Sequence, residues 1–532
     1  MQKMLRSILK LFFWSVIATT FVLLIFVLKT EFSVSSSTAL KVWVQNGMER
    51  ISLDDPPQDA RSIHLYAARG EYESFQIGIN APRSNFSLID VEISDLTSTG
   101  DRSISQQNIT LYREHYVHVT KPSPTWRGSK IKPLGKGWYP DGLIPFTNPE
   151  TGAKLDHAEL DAVPFKLKQG TNQPIWVDIF VPRDALAGNY RGTYTVTGDR
   201  GKTTGKILLT VWDFELPLKP SLKSAFLSWD RTSKNTMIEL LKHRVMPAAN
   251  FSPKNERELI DQWGLSSVRL PFWSGADYQT CTMNPPPSSA KIREAGLRHQ
   301  LDLELYVYPT DEIDDCKGLR EPFKAWSKNI LQAGVKHMAV MAPVAEFFDL
   351  VDIWVVNPER YDKAGDKISQ VLRQGKEVWF YTFHASGGSV PNWQIDFEPI
   401  NFRIPQGFIN QSLGLTGLLY WRVDGWTDDP WNDVDTSPHP TEPKHYPGDG
   451  MLVYPGEQVG VKGVVPSMRL KWIREGVEDY EYIEILKRWG YEDWAMKTVR
   501  QVATDMHHWN NDPAVLSAAR KKLGEKIHQL AS

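Results

Sequence analysis

Between Leu40 and about Pro220, apolar and polar residues alternate with period two in short runs closed by Gly and Pro. Examples are KVWVQ (41–45), SFQIGIN (74–80), QPIWVDIFVP (173–182), GTYTVTG (192–198) and KILLTVWDF (206–214). Alternation of this kind, rich in β-branched and aromatic side chains, predicts strands with one buried face, and together they predict an antiparallel β-sandwich. The stretch LPLKP (216–220) reads as a stiff linker. Beyond it the period changes. Eight apolar runs appear: SAFLSW (224–229), RVMPAAN (244–250), SVRLPFW (267–273), LELYVYP (303–309), HMAVMAP (337–343), DIWVV (352–356), EVWFYTFH (377–384) and TGLLYWRV (416–423). Helically spaced segments such as EPFKAWSKNILQAG (321–334) separate several of them. Strands alternating with helices predict a (β/α)8 TIM-like barrel over 221–467, with a doubly wound sheet as the alternative. A C-terminal helical segment, 468–532, completes a multidomain chain. Its first part, RLKWIREGVEDYEYIEIL (469–486), has the spacing of an amphipathic helix whose Arg474, Glu475, Glu478 and Asp479 suit a bracing charge network.

The first 39 residues stand apart. Lys3, Arg6 and Lys10 precede an uncharged run from Leu11 to Leu28, long enough to cross a bilayer as a helix with its basic flank in the cytoplasm. Small residues from Ser33 to Ala39 would permit cleavage, but the run exceeds a typical signal-peptide core and favours a signal anchor. Either device exports the body, membrane-anchored or secreted. There Cys281 and Cys316, the only cysteines, could persist as a disulfide between loops that follow neighbouring strands.

A formal net charge of −2, with acids and bases interspersed, gives no footprint for nucleic acid. Twenty tryptophans exceed ordinary usage, and Trp suits stacking on the apolar face of a sugar. No His/Cys spacing indicates a metal site, and no GxGxxG or P-loop indicates a cofactor. In a barrel, functional residues gather where strands end. At those ends the chain places Asp311 and Glu312, with Trp229, Asp230, Trp273, Tyr381, His384, Trp421, Asp424 and Trp426 as substrate-binding candidates. Glycoside hydrolysis needs one carboxyl to protonate the leaving oxygen and a second group to trap the sugar cation. The run FHASGGSVPNW (383–393) carries no second carboxylate, so an adjacent Asp-Glu pair points to attack by the substrate's own 2-acetamido oxygen. Glu312 would then be the acid, raised in pKa by the neighbouring Asp311 charge. A calcium loop over 311–315 is the competing reading, although the glycine and distal glutamate of an EF-hand are missing. GWYPDGLIPF (137–146) is a candidate interdomain loop, with Trp138, Tyr139 and Asp141 within reach of the mouth. His243 and Arg244 read as structural.

The order of GWYPDGLIPF, QPIWVDIFVP, AGNYRGTYTV (187–196), Asp311-Glu312, DIWVV, EVWFYTF, GLLYWRVDGW (417–426) and RLKWIREGVEDYEYIEIL resembles glycoside hydrolase family 123 and its wider relatives of uncharacterised function. The resemblance implies a sandwich followed by a catalytic barrel, and a retaining, exo-acting β-N-acetylgalactosaminidase. It implies that Asp311 orients the acetamido group and that Glu312 is the general acid/base. Ile313 departs from the proline expected after the pair. The substrate would be an oligosaccharide or glycoconjugate. The alternatives are a glycosidase of another specificity on the same barrel and a non-catalytic carbohydrate-binding envelope protein.

Overall fold

A computed structural model describes residues 39–531, apart from 101, 156–157, 230–232, 250–251, 278, 385–388 and 439–441. The expected anchor or signal segment, and Asp230, lie outside the described residues. No helix among those described is long and apolar enough to cross a membrane.

The alternating runs of the N-terminal half form two facing sheets. One has five antiparallel strands in the order Lys41–Asn46, Tyr72–Asn80, Asn172–Phe180, Ile109–Val119, Gly137–Pro145. The other is built on the hairpin of Gly188–Gly198 with Gly201–Glu215, extended by Phe86–Ile93 on one side. On its other side Ser62–Arg69 pairs parallel with Gly201–Glu215, the one departure from the expected antiparallel arrangement in this half. The inward residues of both sheets, among them Phe75, Ile77, Ile89, Val177, Tyr194 and Leu209, share one apolar core.

The second half is a curled parallel sheet of seven strands: Lys223–Phe226, Gly417–Tyr420, Glu377–Tyr381, Ile353–Val356, Lys336–Val340, Glu304–Val307 and Ser267–Arg269 in spatial order. The expected second strand, 244–250, joins only through a single parallel bridge between Phe226 and Pro247. Pro247 has no N–H to give a ladder, and Arg244 turns the chain with φ +59°. Among the described residues no ladder closes the seam between this segment and Ser267–Arg269, so the sheet is a curled half-barrel rather than a fully paired eight-stranded barrel. Its concave face is filled by Ala225, Met338, Ile353, Val355, Trp379 and Leu419. One helical crossover is reduced to a short turn, Ala345–Phe347, between Lys336–Val340 and Ile353–Val356.

Helices Met468–Arg488, Glu492–Val502 and Pro513–Ala531 follow. The first is not amphipathic in the expected sense, because nearly its whole circumference is buried. Its charges face partners on other elements. Arg469 pairs with Asp141, Lys471 and Arg474 with Asp178, and Glu475 and Asp479 with Arg403. Asp141 and Asp178 belong to sandwich strands, so the helix ties the two halves together. Its charged residues brace the fold and stand away from the mouth. His243 is buried with Nδ1 against the Glu239 carbonyl, and Arg244 donates to the Pro217 carbonyl, both structural contacts.

Candidate active site

The C-terminal ends of six of the seven strands line a cavity of about 560 Å³. Apolar and aromatic side chains form most of it, and Asp311 and Glu312 are the carboxylates among its described lining residues. The strand Glu304–Val307 ends four residues before Asp311, and Tyr308, Pro309 and Thr310 carry the chain to the mouth. In an extended strand, neighbouring side chains would point apart. Glu312 instead adopts a left-handed conformation, φ +34° and ψ +50°, and this turn lets two adjacent carboxyls share one wall. Such backbone is uncommon for a non-glycine residue and is held here by the surrounding contacts.

Those contacts differ between the two acids. Glu312 Oε1 accepts from Tyr381 OH at 2.6 Å and from Arg360 Nη1 at 3.0 Å. Arg360, in the first turn of the helix Pro358–Ala364, also donates from Nε to Asp314 Oδ2 at 2.8 Å, so Asp314 is occupied in fixing the arginine. Asp311 is half-buried beside it. Burial first, and then the adjacent Glu312 charge, push its carboxyl up to about 6, against a lowering hydrogen bond from Tyr308. Asp311 therefore carries a raised carboxyl in this wall, with desolvation and the neighbouring Glu312 charge as the causes.

Trp229, Trp273, Tyr381, His384 and Trp421 line the same cavity. Trp229 and Trp273 are 59% and 47% exposed, so each presents an open aromatic face at the mouth. Trp229 meets Trp421 edge to face at 5.8 Å, and Trp273 meets Tyr308 likewise at 6.0 Å. The His384 ring stacks on Tyr446 at 4.2 Å, while its backbone N–H donates to the buried Asp449, whose carboxyl burial raises to about 6. Two expected residues are elsewhere. Asp424 is buried, accepting from Ser228 Oγ and the Trp229 N–H, and so supports the Trp229 loop from behind. Trp426 packs into the core with its indole N–H on the Val453 carbonyl. Both follow a strand end closely, but the chain has turned inward by that point. The 137–146 run also stays away from the cavity. Asp141 is locked onto Arg469 and Tyr454, and Trp138 stacks on His118 at the surface.

Sequence reasoning missed Arg269, Tyr308 and Arg360. A cation inside an apolar strand run, as in SVRLPFW, and a cation in the first turn of a helix, where the dipole disfavours it, were the available signals. Cys281 and Cys316 are disulfide-bonded with Cα atoms 5.5 Å apart, which joins the loop after Ser267–Arg269 to the one carrying both acids.

The glycoside hydrolase 123 N-terminal domain matches residues 51–198, and the glycoside hydrolase 123 catalytic domain matches residues 321–486. The second match begins beyond Asp311 and Glu312. No curated protein sequence matches. Among solved structures, a family 123 glycoside hydrolase from Clostridium perfringens, described for glycolipid glycan hydrolysis, superposes with a TM-score of 0.68 at 14% identity, covering 93% of this chain and 98% of its own. A Parabacteroides merdae β-glucuronidase reaches a TM-score of 0.28 at 11% identity, covering 77% of this chain and 50% of its own, too distant for any inference.

Proposed function

Since the chain belongs to glycoside hydrolase family 123, we propose that this glycosidase removes terminal β-linked N-acetylhexosamine, with galactosamine favoured, by substrate-assisted catalysis with retention. One observation carries this reading. The cavity's two described carboxyls are chain neighbours in different environments, and among the described residues no other carboxylate lines the cavity to serve as a protein nucleophile. Asp311, ionised above its raised pKa, accepts the acetamido N–H and directs the acetamido oxygen at the anomeric carbon. Glu312 protonates the departing glycosidic oxygen. The oxygen–carbon bond that forms closes an oxazolinium ring as the glycosidic bond breaks. Glu312, now a carboxylate, then takes a proton from the water that reopens the ring, so the sugar leaves with its original configuration. Tyr381 and Arg360 hold Glu312 by Oε1, which leaves Oε2 for proton transfer. The exposed Trp faces supply stacking surface for the sugars.

Galactosamine is favoured by family membership, and the glycolipid glycan named for the Clostridium perfringens enzyme is a substrate class to try first. The same reading puts the catalytic body outside the cytoplasm, tethered by the N-terminal apolar run or released by its cleavage. The Cys281–Cys316 bond supports this, because such bonds persist in oxidising compartments.

The test compares leaving groups. Glu312→Gln should lose most activity on a poor leaving group and much less on an activated aryl glycoside, which needs little protonation. Asp311→Asn should impair both. A fluorosugar trapped as a stable ester on any Asp or Glu would establish a protein nucleophile and overturn the proposal.

A further inference from the structure

Arg269 ends its strand pointing to the concave side of the sheet, while Val268 beside it packs under the outer helices. Its guanidinium carbon lies 5.4 Å from the centre of the Tyr308 ring. Among the described residues it has no ion-pair or hydrogen-bond partner, and its Nε is sealed from solvent. The other arginine at this site, Arg360, already donates from Nε to Asp314 and from Nη1 to Glu312 and Tyr381. An arginine in a cavity wall with a sealed, unpaired Nε–H is satisfied by a ligand that offers two acceptors side by side.

Position identifies the acceptors. Along the wall Glu312 is followed by Asp311, Asp311 is held by the Tyr308 hydroxyl, and Arg269 lies over the Tyr308 ring. On the proposed mechanism, Glu312 meets the oxygen on C1 and Asp311 the acetamido group on C2. Continuing along the wall leads to C3 and C4. We propose that Arg269 binds the vicinal O3 and O4 hydroxyls of the terminal sugar and thereby reads the configuration at C4, an inference that rests on the function proposed above. Hydroxyls fit better than an anionic substituent, because Asp311, ionised in the proposed mechanism, would repel a second negative charge.

The experiment measures kcat/KM of wild type, Arg269→Met and Arg269→Lys on an activated aryl 2-acetamido glycoside, its 3-deoxy and 4-deoxy analogues, and its C4 epimer. Losing hydrogen bonds from a charged donor should cost Arg269→Met about 10–100-fold on the parent sugar. The loss should shrink to about threefold on a deoxy analogue that already lacks the bond, and the preference between C4 epimers should narrow. Arg269→Lys should recover only part, since a point charge cannot grip two oxygens at once. It also gives the same comparison should the Met variant fold poorly. An equal loss on all four substrates overturns the inference and leaves the proposed function standing. So does activity on a sulfated sugar that falls selectively in Arg269→Met, which would assign the arginine to an anion. A wild type inactive on every 2-acetamido glycoside overturns the proposed function and this inference together.

Discussion

Asp311→Asn should make the protein more stable while making it inactive, and only above a particular pH. In the folded state burial and the Glu312 charge raise the Asp311 carboxyl from an ordinary 3.8 to about 6. A carboxyl raised on folding contributes nothing unfavourable below its unfolded pKa, where both states are protonated. As pH rises through the interval to the folded value, the folded state must give up a proton it holds more tightly, and stability is lost. The gap corresponds to about 3 kcal/mol at pH 7.5, falling to about 0.5 kcal/mol near pH 4. Solvent at the cavity mouth screens part of this, so about 1–3 kcal/mol is expected at pH 7.5. Asparagine keeps an acceptor for the Tyr308 hydroxyl and removes the charge, so the variant should recover this amount. Urea denaturation of both proteins at pH 7.5 and pH 4 measures it, with the variant's midpoint higher at pH 7.5 and nearly coincident at pH 4. The same group sets an acid limb near pH 6 in the wild-type activity, because protonated Asp311 cannot accept the acetamido N–H. A variant no more stable than wild type at pH 7.5, or equally stabilised at both pH values, would refute the argument.

Two further outcomes test the scaffold. Replacing Cys281 and Cys316 together by serine removes a link across 35 residues and should cost about 3–4 kcal/mol by denaturation, with lower activity as the acid-bearing loop loosens. Asp141→Ala leaves Arg469 buried without its partner and should cost about 3–5 kcal/mol, whereas Asp141→Leu combined with Arg469→Met should recover much of that loss on the same denaturation assay.

Wherever hydrophobic period reflects one buried face, the chain alone was enough. The sandwich strands, seven of the eight expected parallel strands and the position of Trp229, Trp273 and Trp421 at strand ends were legible because local periodicity and a strand's C-terminal end are properties of short segments. Family membership was legible from motif order. Tertiary structure decided what depends on distant partners. Met468–Arg488 looked amphipathic because charges are read as solvated, yet Asp141 and Asp178, some 300 residues away in the chain, turn that face into an interior one. Asp424 and Trp426 stood near a strand end but faced inward, since a turn's direction is set by what it packs against. That Asp311 has a raised carboxyl could not be read from Asp-Glu, because desolvation, the largest cause, depends on what the fold packs around it. Arg269 and Arg360 look alike as single cations in a sequence. Only the fold distinguishes them, by surrounding Arg360 with Glu312, Asp314 and Tyr381 and setting Arg269 against an aromatic ring with its Nε–H sealed and unpaired.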